Sequence, residues 1–266
     1  MTPSMRPIAT GLRRTARNAQ GTCIGAALLI TGPNALLGQE PASRSPAETC
    51  LQANRSLSLG APLPRTAAHL KTGGPLRVVV IGSSSTSGLW VLNSAATYPE
   101  VMRRELARLR PSTEIGIVNS GRIGDTIAGT IVRFQRDVFS HTPDLVVWQL
   151  GTNDVAWGGR TDGLKNKIIE GVRALKANGA DVILMDLQYA PLVLASSHHS
   201  AMQAIITEVA RQERVGLFPR FDLMRRSIEA GLSPGDLLSW DTLHNSADGY
   251  DCIGRALARA VHAAAR

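Results

Sequence analysis

Near the carboxyl end of this 266-residue chain, Asp241-Thr242-Leu243-His244 sets a carboxylate three residues before an imidazole. If the segment turns, the carboxylate can accept from Nδ1–H and leave Nε2 free to take a proton. That is the base half of a nucleophilic site. The nucleophile could come from Gly82-Ser83-Ser84-Ser85-Thr86-Ser87-Gly88, a run of small hydroxyl residues between two glycines. A serine attacks a carbonyl only with a base to take its proton and donors to hold the oxyanion. Taken singly, both stretches have plainer explanations, because glycine and serine are ordinary turn residues and D-x-x-H is common in surface loops. His69, His141, the His198-His199 pair and His262 have no acid at a useful spacing. Neither H-E-x-x-H nor C-x-x-C occurs, so no catalytic metal and no other cofactor is expected.

The elements that must position these residues alternate regularly. Val78 to Ile81 reads as a strand buried on both faces that ends at Gly82. Tyr98 to Arg110 reads as a helix stopped by Pro111, Ile115 to Asn119 as a strand, and Asp125 or Thr126 can cap a helix running to about Phe139. Strands over 145–150, 182–187 and 215–221 alternate with helices over 165–177 and 200–213, and 247–264 closes the chain as a helix. This pattern predicts an α/β fold, a three-layer α/β/α sandwich around a central, mostly parallel five-stranded sheet. Right-handed crossovers then bring the strand ends to one edge. Four polar loops fall there, at 82–88, 119–124, 151–154 and 188–189, which makes that edge the expected site.

Four blocks in this order resemble those of the SGNH hydrolases, the GDSL esterase and lipase superfamily. Gly82 to Gly88 resembles the first block, G-D-S-x-[ST]-x-G. Asn119-Ser120-Gly121-Arg122-Ile123-Gly124-Asp125 resembles the second, Gly151-Thr152-Asn153-Asp154 the third and Asp241 to His244 the last. The resemblance covers residues 76–264 and implies a flavodoxin-like SGNH hydrolase fold with Ser84 as nucleophile, His244 as base and Asp241 as its orienting acid. It also implies an oxyanion hole formed by Ser84, Gly124 and Asn153. One departure stands in the first block, where Ser83 replaces the usual acid. Adjacent serines leave the register open: Gly82 and Gly88 favour Ser84, with Ser85 the alternative.

The composition, 44% hydrophobic and 19% charged, suits one α/β domain behind a leader. Residues 1–38 carry Arg6, Arg13, Arg14 and Arg17, no acid, and a broken apolar segment after Cys23, as a secretory signal peptide does. Removing those four arginines from 29 basic residues leaves 25 against 21 acids, so the formal +8 falls to a mild +4. With 4% aromatics and dispersed basic residues, no nucleic-acid partner is expected. No stable membrane anchor should remain once the leader is gone, which points to the periplasm or the outside of the cell. Residues 39–75, rich in proline, read as an irregular lead-in, and 76–266 as the hydrolase domain. In an oxidising compartment Cys50 and Cys252 are expected to pair.

These features describe a serine esterase acting on a small-molecule or glycan ester. Little chain is left for a lid, which favours short acyl groups or acetyl-carbohydrate esters and an open groove. Leu89, Trp90, Trp157, Tyr189, Pro191 and Leu192 can line an acyl or sugar pocket or simply pack at its rim. Two other readings stay open: acyl transfer to a glycan hydroxyl, and a non-catalytic module, either glycan-binding or flavodoxin-like with Ser83 to Gly88 cradling a phosphate.

Overall fold

An apolar run makes β1, Leu76–Gly82, in which only Arg77 reaches solvent. In the computed structural model, which describes residues 44–266, β1 lies between β2 (Ile115–Gly121) and β3 (Leu145–Gln149). β4 (Asp181–Met185) and β5 (Gly216–Phe218) complete the order β2-β1-β3-β4-β5. All four pairings are parallel. This is the flavodoxin-like order, and the reversal between β1 and β3 opens a crevice beyond their carboxyl ends. The expected leader and Cys23 lie outside the described residues.

Helices α1 (Pro46–Ala53) and α2 (Pro64–Thr72) precede β1, and α3 (Ser84–Ser87) and α4 (Tyr98–Leu109) follow it. α5 (Ile127–Val132) and α6 (Phe134–Asp137) lead to β3, then α7 (Thr152–Ala156) and α8 (Leu164–Ala177) to β4. α9 (Pro191–Leu194) and α10 (His199–Glu213) lead to β5, and α11 (Arg220–Glu229), α12 (Pro234–Leu237) and α13 (Ala247–Ala264) close the chain. Right-handed crossovers run in opposite directions from β1, so α4 packs with α13 on one face and α8 with α10 on the other. The expected three-layer sandwich is therefore present, with every strand parallel. Among the described residues no helix is long and apolar enough to cross a membrane.

Three expectations need correction. The lead-in is not irregular from residue 44 onward, because Pro46 and Pro64 stand at the first position of α1 and α2, where no N–H is required. A capping box starts α1: Ser45 Oγ accepts from Glu48 N at 3.3 Å and Glu48 Oε2 from Ser45 N at 3.2 Å. α1 packs on α13, where Cys50 and Cys252 form the expected disulfide, with Cα atoms 6.0 Å apart.

The helix expected from 125 to about 139 is broken at Arg133, which separates α5 from α6. Its buried guanidinium turns inward to the Gly82 carbonyl, so tertiary bonding outweighs helical continuity there. The strand expected over 215–221 stops at Phe218. Pro219 has no N–H for a ladder, and the chain turns into α11, where Asp186 Oδ1 accepts from Phe221 N at 3.0 Å.

Candidate active site

Ser84 opens α3 directly beyond the end of β1, with Ser83 in an extended conformation before it. Its Oγ lies 2.8 Å from His244 Nε2. Successive helical residues point about 100° apart, so the next serine faces elsewhere: Ser85 Oγ is buried and donates to Gln188 Oε1 at 3.2 Å. Ser83, in the place of the usual acid, donates both N–H and Oγ–H to Gln149 Oε1, at 2.8 and 2.9 Å. Thr86 Oγ1 donates to the same oxygen at 3.1 Å, which leaves Tyr98 as donor in the 2.8 Å Thr86–Tyr98 bond. With Ser83 N–H directed at Gln149, the turn does not present it to a phosphate.

β2 holds the turn from the other side. Asn119 Nδ2 donates to the Thr86 carbonyl at 2.8 Å, and its Oδ1 accepts from Gly121 N at 3.0 Å. A Cβ at Gly121 would stand 2.1 Å from Ser87 N, so only glycine admits this approach of α3 to β2.

The loop that carries Asp241 and His244 is built differently. Leu238 and Asn245 form an isolated antiparallel bridge, and Ser239 N donates to the His244 carbonyl at 2.7 Å. Between them Thr242 takes φ +56, a left-handed conformation that β-branched residues rarely adopt. That turn lets Leu243 N and His244 N donate to Asp241 Oδ1 at 3.1 and 3.0 Å, while Oδ2 lies 2.6 Å from His244 Nδ1. Burial pushes the Asp241 carboxyl up, but hydrogen bonds from His244, Leu243 and Trp90 outweigh it and hold the group down at about 2. An ionised carboxylate only accepts, so Nδ1 carries the proton and Nε2 of the neutral ring accepts from Ser84 Oγ–H.

The remaining sequence-derived residues fall on the adjacent loops. Gly124 sits at φ +77 with open space where a Cβ would be. Among the described residues neither its N–H nor that of Ser84 meets an acceptor. Asn153, on α7, donates one amide hydrogen to the Asp125 carbonyl at 2.8 Å and keeps the second. Arg133 clamps this side of the site: it donates to the Gly82 carbonyl at 3.0 Å, to Asp125 Oδ2 at 2.6 Å and to Asp137 Oδ2 at 2.9 Å. Asp154, whose carboxyl burial pushes up, accepts from Ile127 N at the start of α5.

Several residues here escaped the sequence reading. Gln149 left one signal, a polar side chain inside the apolar run 145–150. Gln188, at the site edge, donates through Nε2 to the Leu243 carbonyl at 2.9 Å and so ties the loop of Asp241 and His244 to Ser85. Arg133 and the Trp90 indole, which donates to Asp241 Oδ2 at 2.6 Å, carried no local signal. Of the other candidate lining residues, Tyr189 packs edge-on against Phe221, while Trp157 is 71% exposed at the end of α7.

A serine, an imidazole and a carboxylate are joined by two short hydrogen bonds at the switch point of a flavodoxin-like sheet, and the fold is that of the SGNH-type hydrolases. The chain belongs to the Non-GDSL lipase-like family, which matches residues 49–266. It is similar to an arylesterase of Vibrio mimicus, 24% identical over 145 residues, covering 54% of this chain and 70% of that protein. Esterase TesA of Pseudomonas aeruginosa is 28% identical over 144 residues, with the same two coverages.

Among solved structures, a two-domain esterase active on acetylated mannans superposes with a TM-score of 0.65 at 16% identity. That match covers 84% of this chain and 57% of the esterase, so the chain spans little more than half of that protein. An acetylxylan esterase from Geobacillus stearothermophilus gives 0.58 at 21% identity, covering 70% of this chain and 94% of that one. At these identities the structures establish the fold. Family membership and the two esterase relatives class the chain as an ester hydrolase.

Proposed function

We propose that this chain is an exported serine esterase that cleaves carboxylic esters through an acyl-enzyme. The observation that carries the reading is the chain of hydrogen bonds from Asp241 through His244 to Ser84, at 2.6 and 2.8 Å. In this reading His244 Nε2 takes the Ser84 proton as Oγ attacks the ester carbonyl, and Asp241 fixes the tautomer and stabilises the imidazolium. The oxyanion is held by the N–H groups of Ser84 and Gly124 and by the free amide hydrogen of Asn153. Losing one such donor typically costs about 3 to 4 kcal/mol in the barrier. His244 then returns the proton to the leaving alcohol, and a water activated by the same imidazole releases the acid.

Short acyl and acetyl-carbohydrate esters are the proposed substrates. Support comes from the structural neighbours, an esterase active on acetylated mannans and an acetylxylan esterase, and from the exposed Trp157 at the end of the helix that carries Asn153. Export is supported by the signal-like pattern of residues 1–38 and by the Cys50–Cys252 disulfide. A series of chromogenic esters of rising acyl length, run beside acetylated sugars on wild type and Ser84→Ala, tests the proposal. Turnover that is highest on acetyl esters and lost in Ser84→Ala is expected. Full turnover in Ser84→Ala, or a preference for long acyl chains, would contradict it. Carbohydrate acceptors added to the same assay would reveal acyl transfer as an acylated sugar.

A further inference from the structure

Asp241 accepts four hydrogen bonds, and three of their donors belong to its own loop: Leu243 N and His244 N on Oδ1, and His244 Nδ1 on Oδ2. The fourth comes from Trp90 Nε1, 2.6 Å from Oδ2. Trp90 belongs to the other half of the site. Leu89 N still donates to the Ser84 carbonyl, and Val91 N donates to the Gly88 carbonyl at 3.0 Å, so residues 88–91 form a tight turn that leaves α3. Trp90 holds the third position of this turn at φ +71, where glycine or asparagine would be expected. A bulky side chain in that conformation persists only where other contacts hold it. Here the contacts are the Asp241 carboxylate and the Trp240 ring, whose centroid is 5.1 Å away.

We propose that Trp90 is a positioning residue: its indole N–H docks the base loop onto the nucleophile turn and fixes which carboxylate oxygen faces His244. This rests on the esterase reading above. With Oδ2 held from both halves of the site, the loop that carries Asp241 and His244 cannot move away from Ser84 as a unit without breaking the indole bond. The ring of Trp90 is half exposed, so its burial alone does not account for its strained backbone.

The test compares four variants on a chromogenic acetate ester. Trp90→Phe keeps an aromatic ring and removes the donor, and benzothienylalanine at position 90 replaces only the N–H by sulfur. Both are expected to lower kcat about 10-fold with KM unchanged, the scale of one hydrogen bond to a charged group. Trp240→Phe, which keeps the ring contact, is expected to leave kcat within about twofold of wild type. Wild-type kcat in the benzothienylalanine protein would overturn the proposal. So would a rise in KM at constant kcat, which would make Trp90 a substrate contact, or an equal fall of kcat in Trp240→Phe. Ser84→Ala separates the two levels: if it keeps full turnover, the esterase reading itself fails. If it is inactive, the Trp90 result judges this inference alone. Should Trp90→Phe fold poorly, the sulfur isostere, with unchanged ring shape, still decides.

Discussion

Ser83 to Thr86 are buried, and apart from Ser84 Oγ their hydroxyls are bound by Gln149, Gln188 and Tyr98, with Asn119 on the Thr86 carbonyl. The loop from Leu238 to Asn245 has Asp241 and His244 only half buried and Thr242 exposed, and it is shaped mainly by bonds within itself. The proposed nucleophile is thus placed by its neighbours on the sheet edge, while the proposed base sits in a loop held mainly by its own bonds, which Gln188 and Trp90 tie to the rest of the site. A fault in the packing and hydrogen bonds that hold the first region should cost stability as well as rate. A fault in the second should cost rate with little change in folding.

The largest effects belong to the proposed reacting groups. Ser84→Ala and His244→Ala are each expected to lower ester turnover by about three to six orders of magnitude, with Tm little changed, as initial rates and thermal melts would show. Asp241→Asn should lower kcat by about 10² to 10⁴. The same residue gives a pH test of folding. Its folded-state pKa of about 2 lies below the ordinary carboxyl value, so its contribution to stability is present above about pH 4 and is lost as pH falls toward 2. Acid unfolding of Asp241→Asn should show less loss over that window than wild type.

Next in size is the support behind the base loop, which runs through Ser246, the N-cap, straight into α13. Replacing Cys50 and Cys252 together by alanine should cost about 2 to 5 kcal/mol in denaturant unfolding. Rate per folded molecule should stay unchanged, since the bridge touches neither half of the site. In the nucleophile region Gly121→Ala should do both kinds of damage. Its methyl would meet the backbone of Ser87 and Thr86, so about 1 to 3 kcal/mol of stability and part of kcat should be lost together. A Gly121→Ala protein of wild-type stability and rate would break the comparison between the two regions.

The smallest expected effect on rate belongs to Asp186. Burial pushes the Asp186 carboxyl up to about 7, outweighing the Phe221 N–H and the charge of Arg220. The folded protein then binds a proton that the unfolded chain has lost, so stability from this group declines as pH rises from about 4 to about 7. Asp186→Asn should flatten that slope in urea titrations at successive pH values and leave ester turnover near wild type.

The sheet and the closing helix were legible because buried parallel strands leave continuous apolar runs and α13 keeps a helical period to its last turn. The four loop blocks were legible because glycine, asparagine and histidine mark strand ends. Choosing between Ser84 and Ser85 was not, since identical side chains differ only in the phase of α3. α11 was hidden because its Arg220-Phe221 start looks like a continuation of β5, and only Pro219 separates them. The break at Arg133 and the indole bond of Trp90 depend on partners far away in sequence, 51 positions to Gly82 and 151 to Asp241. No window of local pattern contains such pairs.

In the proposed reading Ser84, and not its neighbours, is the hydroxyl activated by His244. Treating the folded protein with a fluorophosphonate, whose phosphorus is attacked by an activated serine with loss of fluoride, and then locating the adduct by peptide fragmentation tests this directly. One adduct is expected, on Ser84, and none in His244→Ala. An adduct on Ser83 or Ser85, or undiminished labelling of His244→Ala, would contradict it.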